Sequence, residues 1–493
     1  MTFPMRHERL IVGSLCLFAA LHVFIFAAAF PFFTNVDERA HLGTVLNFAR
    51  GKMPRTYDDF TSETVRCLAL YNSKFYLGSE TNRDELLPQP WKLPASEQAA
   101  WIAAQAPGYA GTNYENSQPP LYYAVAGACW NVTEHLGLDE GHRLYWLRFL
   151  NIPVVVLVVW LGWLGAKTVF TDSIFHRLAV PALLAFMPQS AFYSLGNPAF
   201  APLFFGAAFV LLLHLAGSDP PSVWLSAAAG LALAGAFLVK MTNVPPLMVT
   251  VVFFAFWVWQ LWRTGKLARS LPALSALCLC AALPSAIWCF WCRKVFGDFT
   301  GTRSMAHFWT WTPKPFAEWW SHPIFTFPGA RKFFALFFSQ FWQGEFTCHC
   351  QPMALRVPSW IYEFATAGLL AVALAKTLQP PALTSLPQRR VLWFGFFAFA
   401  SSAAFLFFSS ISYNFNQCPI PTPQIPYLTN GRHALGALIP FMLVFVSGLD
   451  QLMCRASLRT KFLALAVILL SMLGTEVVSD RRAFGDPYNW FHL

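Results

Sequence analysis

Long apolar segments alternate with short polar ones along most of the chain. Each apolar segment is about 20 residues long, the length of a helix that crosses the hydrocarbon core of a membrane. The pattern predicts an all-α polytopic membrane protein with about eleven transmembrane helices, in which residues 1–493 form a single membrane domain. The predicted spans are 10–33, 148–168, 178–196, 199–216, 222–241, 243–262, 270–296, 359–376, 391–411, 431–450 and 461–478.

Lys and Arg are concentrated in the short loops on one side of these spans. Short loops with such a bias stay in the cytoplasm. The N-terminus is therefore expected to be cytoplasmic, and in the inner (plasma) membrane of a bacterium the opposite face is periplasmic. The basic stretches are 6–9, 167–177, 263–269, 376–390 and 455–461.

Two long loops are expected on the outer face, at 34–147 and 297–358. They are too long to be simple connections, so they are the expected place of function. Interfacial helices are predicted within them. The apolar segment 119–134 is one of these, since a twelfth span would reverse every later loop. Four cysteines of the outer loops could form a disulfide, but spacing does not give the pairing: Cys67, Cys348, Cys350 and Cys418.

Composition agrees with a membrane protein. Hydrophobic residues make up 56% of the chain, charged residues make up 12%, and the mean hydropathy is +0.46. Soluble domains carry about 25% charged residues. The formal net charge of +10 follows from the basic cytoplasmic loops, so a nucleic-acid partner is not expected and the surrounding partner is membrane lipid.

The first polar cluster follows the first span, where Asp37, Glu38 and His41 lie in a segment with helical apolar periodicity. Adjacent carboxylates suit a hard divalent cation such as Mg²⁺ or Mn²⁺, with Asp37 and Glu38 as ligands, or a general base. The order D-E-x-x-H lacks the first His of the H-E-x-x-H zinc motif. The alternative is a juxtamembrane helix with ordinary solvated charges.

Polar residues at the end of the first loop and in the second loop are candidates for substrate binding. Glu115, Gln118 and Tyr122 combine polar groups with aromatic rings, a mixture that suits a sugar. Arg303 and Glu345 lie in the second loop. Interfacial anchoring by tyrosine is the alternative for the first group.

Two cations lie at outer ends of predicted spans, Lys240 and Arg432. A fixed guanidinium at such a position is suited to a lipid phosphate. The alternative for both side chains is snorkelling to the headgroups.

The order of these motifs resembles the GT-C superfamily of membrane glycosyltransferases, in particular protein O-mannosyltransferases and the lipid A aminoarabinose transferase. Within it, the chain looks most like a bacterial group of predicted membrane glycosyltransferases. The resemblance covers residues 1 to about 450. The matching motifs are Asp37-Glu38, Gln118-Pro119-Pro120-Leu121, Arg148-Phe149-Leu150-Asn151 and Gly431-Arg432-His433.

The resemblance implies transfer of a sugar from a polyprenyl-phosphate donor to a glycan, lipid or protein acceptor at the outer face. It implies Asp37 as the catalytic carboxylate, Glu38 and His41 as its support or metal partners, and Arg432 and Lys240 as phosphate ligands. Many relatives carry an acidic residue in the second outer turn, often as Asn-Asp, whereas the turn here reads Gly196-Asn197-Pro198-Ala199 and has no carboxylate. Two other functions stay open: a flippase or transporter for a lipid-linked sugar, and a ligase using a polyprenyl-diphosphate donor.

Overall fold

The computed structural model describes residues 5–35, 37–55, 58–73, 88–348, 351–352, 354–379, 385–415 and 421–493. These residues are overwhelmingly helical, with only two short antiparallel strand pairs. Within the described part, nine helical segments are long and apolar enough to cross a membrane. The predicted class, an all-α polytopic membrane protein, is confirmed.

Helices account for nearly all of the regular structure, and the labels used below follow chain order. The helices are α1 (Met5–Ala29), α2 (Glu38–Ala49), α3 (Ser62–Tyr71), α4 (Ala95–Tyr109), α5 (Leu121–His135), α6 (Glu140–Phe149), α7 (Asn151–Val169), α8 (Ile174–Ala185), α9 (Ala201–Ala216), α10 (Val223–Val239), α11 (Val244–Arg263), α12 (Leu267–Val295), α13 (Thr302–Phe308), α14 (Phe327–Gln343), α15 (Arg356–Leu378), α16 (Leu386–Ser412), α17 (Leu438–Leu452) and α18 (Leu458–Phe484). The strands are β1 (Thr312–Pro313), β2 (Thr347–Cys348), β3 (Gln351–Pro352) and β4 (Tyr413–Asn414), with β1 paired to β4 and β2 to β3.

Every predicted span overlaps a helix, but α8, with 12 residues, and α10, with 17, are too short to count among the nine segments that could cross a membrane. The span predicted at 178–196 is wrong in its second half, because α8 ends at Ala185. Pro188 follows two residues after the helix cap, and the residue before a proline avoids helical backbone angles. The chain then forms a short 3₁₀ turn at Ser190–Phe192. The number of crossings, about eleven, stays a prediction.

The centre of the bundle is α17, whose residues 438–449 are all buried. It packs against α15, α16 and α8. The contact with α15 is close: a Cβ atom added to Gly448 would lie 2.1 Å from the carbonyl oxygen of Leu369. Small residues let helices in a membrane approach in this way.

Helices also form within the two segments that are predicted as long loops. In the first loop α2 packs on α5, and α3 packs on α4. In the second, α14 packs on α15 and on the 3₁₀ turn Gly431–Ala437 that precedes α17. Some of these contacts bring together segments far apart in the chain, as between α14 and the turn before α17. Cys67 is a buried free thiol, whereas Cys350, Cys418 and the Cys348 side chain lie outside the described residues.

Candidate active site

Asp37 lies at the start of α2 with a left-handed backbone conformation, φ 70°. Such a conformation is costly for a residue other than glycine and often marks a functional position. Its carboxylate accepts two hydrogen bonds. The Tyr114 hydroxyl donates to Oδ1 over 2.7 Å, and Arg432 Nη2 donates to Oδ2 over 2.5 Å. The side chain keeps 18% of its surface exposed, so it is held in place yet reachable.

His41 lies one helical turn after Asp37 and is buried. Its Nδ1 is 2.8 Å from the Tyr123 hydroxyl and 3.8 Å from Glu115 Oε2. The Glu115 turn is fixed to α2, because Asn113 accepts from the Glu115 backbone N–H and donates to the Ala40 carbonyl. The first loop therefore folds back and places a second carboxylate beside the imidazole.

Lys240 joins the cluster from the end of α10, where the backbone leaves the helix. Its ammonium Nζ donates to Asn197 Oδ1 over 3.2 Å. Asn197 in turn donates to the Gln118 side chain and to the Val239 carbonyl. The neutral amide of Asn197 thus binds the Lys240 ammonium group without adding a negative charge to the site.

Arg432 and Glu345 complete the cluster from the other side. Arg432 Nε is 3.6 Å from Glu345 Oε2, which also accepts from Asn430. The Glu345 backbone N–H donates to the Ser190 hydroxyl. Gly431 is needed here, since a Cβ atom would lie 2.1 Å from the Phe341 backbone nitrogen. This close approach lets the turn Gly431–Ala437, which precedes α17, pack directly on α14.

The surroundings of the two carboxylates shift their pKa values in opposite directions. Burial alone would raise the pKa of Asp37, but the nearby charges, that of Arg432 foremost, and the hydrogen bonds from Tyr114 and Arg432 together outweigh burial and hold that pKa below its usual value. Burial and the negative charge of Asp37 raise the pKa of Glu115 to about 8. Burial lowers the pKa of His41 to about 3, and burial with the charge of Arg432 lowers the pKa of Lys240 to about 7. Near neutral pH, Asp37 is therefore ionised, whereas Glu115 is mostly protonated.

Asp37, His41 and Glu115 could also hold a metal ion, because one ligand atom from each lies within 4.8 Å of the others. Two carboxylates and one imidazole form a mixed oxygen and nitrogen donor set. This set suits Mn²⁺ better than Mg²⁺, which prefers oxygen ligands and bound water.

The sequence profile of a family described as "Predicted membrane protein (DUF2142)" matches residues 20–418. The chain belongs to this family. The comparison with curated proteins gives no match.

Among solved structures, the crystal structure of ArnT from Cupriavidus metallidurans bound to undecaprenyl phosphate is similar to this DUF2142 protein. The similarity covers 90% of this chain and 78% of ArnT, at 13% sequence identity and a TM-score of 0.35. The likeness is too loose for any residue role to be transferred from ArnT.

Glu38 is not part of the cluster, although the sequence predicts it as a catalytic residue and metal ligand. Its Oε1 accepts from Arg148 Nε and from the Leu195 backbone N–H, and its Oε2 accepts from Arg148 Nη2. Both side chains of this ion pair are fully buried. Glu38 therefore anchors α2 to α6, and Glu115 supplies the second carboxylate of the candidate metal set.

Arg303 and Tyr122 also differ from the prediction. Arg303 is exposed on α13, and within the described residues the ion pairs of the cluster are formed by other side chains. Tyr122 packs its ring 6.4 Å from that of His41, but the hydroxyl that reaches His41 and Glu115 belongs to Tyr123. Neighbouring positions on a helix point in different directions, and the sequence does not show which faces the site.

Two further residues of the site, Tyr114 and Asn430, are missing from the prediction. Tyr114 is held beside α13 by its ring contacts with Phe308 and Trp309. Asn430 binds Glu345. Their signal in the sequence is their position, directly before Glu115 and two residues before Arg432, respectively, which by itself does not separate a site residue from a neighbour.

Proposed function

We propose that this protein is a glycosyltransferase that moves a sugar from a polyprenyl-phosphate donor to an acceptor at the outer, periplasmic face of a bacterial inner membrane. The observation that carries the proposal is the contact of Asp37 with Arg432 in a cluster that also holds Lys240. An ionised carboxylate and two cations are the groups that such a transfer needs.

The reaction breaks the bond between the anomeric carbon and the phosphate oxygen and forms a bond to an acceptor hydroxyl. Asp37 takes the hydroxyl proton as general base, and the bonding electrons leave with the phosphate. Arg432 and Lys240 stabilise the charge that grows on the departing phosphate. Direct attack inverts the configuration of the anomeric carbon. The resemblance to the GT-C motifs supports this direct mechanism.

A divalent cation would be held by Asp37, His41 and Glu115. When bound, it would supply a positive charge that neutralises the phosphate of the donor. The protein groups act in the same direction without it, because Arg432 already lies against Asp37. Glu345 orients the Arg432 guanidinium at Nε, whereas Asp37 binds Nη2. Gln118 accepts a hydrogen bond from Asn197 and so keeps the Asn197 amide in contact with Lys240.

The test follows release of polyprenyl phosphate from a panel of labelled polyprenyl-phosphate sugars by purified protein in detergent, with Mg²⁺ or Mn²⁺. Wild type is expected to release polyprenyl monophosphate with one sugar of the panel. Asp37→Asn should lose release by about 10²-fold or more, the usual contribution of a general base. Glu97→Gln removes an exposed carboxylate of the same loop, and it should retain full activity.

Other outcomes distinguish the alternative functions. Release of a diphosphate from polyprenyl-diphosphate donors alone would identify a ligase. Tight donor binding without release, in wild type and Asp37→Asn alike, would favour a flippase or transporter that uses the same groups for binding. Undiminished release by Asp37→Asn would remove the proposed role of this carboxylate.

A further inference from the structure

A groove separate from the active site lies between α9, α11 and α16. Because α11 packs along α16 but hardly touches α9, a space of about 150 Å³ is left between the two. Its walls are mostly apolar and largely aromatic, a lining that suits an apolar ligand. The wall residues include Phe209, Leu213, Phe253, Trp257 and Phe394.

One end of the groove carries a cation. Arg390 lines it, donates to Gln260 over 3.3 Å, and lies 5.6 Å from the centre of the Phe256 ring. No carboxylate in the described part of the chain forms an ion pair with Arg390. The guanidinium is therefore available to an anion at the end of an apolar channel.

The residues around the Arg390 end are of the kinds that gather at a membrane surface. Trp259 and Trp262 on the adjacent turn of α11 are exposed, and Arg263 lies 5.2 Å from the Trp259 ring. Tryptophan and arginine gather at the depth of the lipid headgroups. From Thr250 to Gln260 the groove follows α11 for about 15 Å, which is about half of the hydrocarbon core and so one leaflet.

We infer that this groove binds one anionic phospholipid, with an acyl chain between α9 and α11 and the phosphate on Arg390. The depth of the groove favours a chain of one leaflet over the much longer tail of a polyprenyl lipid. The basic loops at this end predict that the leaflet is the cytoplasmic one. The site is independent of the proposed transfer reaction, which takes place at the opposite ends of these helices.

The test is native mass spectrometry of delipidated protein titrated with phosphatidylglycerol, phosphatidylcholine and undecaprenyl phosphate. Wild type should bind one phosphatidylglycerol about fivefold more tightly than phosphatidylcholine, the effect of one cation beside an anionic headgroup. Arg390→Gln should lose this preference. Arg389→Gln removes the neighbouring charge, which does not line the groove, and should keep it.

A second variant tests the apolar part. Ala216→Trp fills the groove from α9 and leaves Arg390 in place, so binding of the single phosphatidylglycerol should be lost. Thermal unfolding of each variant shows that the bundle is intact. Equal affinity of wild type for both phospholipids, or an unchanged preference in Arg390→Gln, would overturn the inference. Displacement of the phospholipid by undecaprenyl phosphate would instead assign the groove to a polyprenyl tail.

Discussion

Arg432 and Asp37 lie 395 residues apart in the chain, and Arg432 Nη2 donates to Asp37 Oδ2 over 2.5 Å. The contact joins the start of α2 to the turn before α17. The cation suited to the donor phosphate is thus the group that keeps the proposed base ionised. A bound phosphate would share this guanidinium with Asp37. Donor binding is therefore linked to the protonation state of Asp37.

Loss of the guanidinium should weaken use of the donor. In Arg432→Gln we expect kcat/KM for the donor to fall by about 10- to 100-fold, the value of one or two charge-assisted hydrogen bonds. Steady-state kinetics of polyprenyl phosphate release measure the effect. Arg303→Gln is the matched control, because Arg303 is exposed on α13 and should behave as wild type. Equal losses in both variants would contradict the assignment.

Donor use should depend on pH through Lys240. With its pKa lowered to about 7 by burial and by Arg432, Lys240 is charged below that pH and neutral above it. Asp37, Glu115 and Glu345 also act on this ammonium group. We expect kcat/KM for the donor to fall as pH rises through about 7, as measured from pH 6 to 9. Lys240→Arg should flatten this decline, since arginine stays charged.

Direct metal binding should depend on the three grouped side chains. His41→Ala should weaken Mn²⁺ binding by at least about tenfold, and Tyr123→Phe, which removes the hydroxyl held by His41, by about tenfold. Electron paramagnetic resonance of Mn²⁺ titrated into metal-free protein measures both. His142→Ala changes a histidine of α6 outside the site and should leave binding unchanged. Absence of binding in wild type would leave the cluster as a hydrogen-bond network.

The Glu38–Arg148 pair should matter for stability rather than for chemistry. Arg148→Met leaves a fully buried carboxylate without its partner and should reduce stability by about 3–5 kcal/mol. Thermal unfolding in detergent gives the comparison. Arg66→Met breaks the more exposed pair with Glu140 and should cost about 1 kcal/mol or less. If the two variants melt alike, Glu38 is not an anchor of α2.

Much of the fold could be predicted because lipid imposes length and polarity on each crossing segment. The positions of α1, α7, α12 and α18 follow from apolar runs of sufficient length. The end of α8 could not be predicted from the length of the apolar run, because many of the residues after it are also apolar. There the chain turns on Pro188 and on contacts made by Gln189 with the distant Phe341 carbonyl.

The sequence by itself determined the class of the protein and several charged candidates for the site, because Asp37 and Glu115 lie in a predicted outer loop and Lys240 and Arg432 lie at outer ends of predicted spans. Only the tertiary structure decided which of them meet. Glu38 is adjacent to Asp37 in sequence, yet Arg148 draws it into a buried ion pair. A buried charge requires a partner, and that partner is chosen by how helices pack, which no local pattern records.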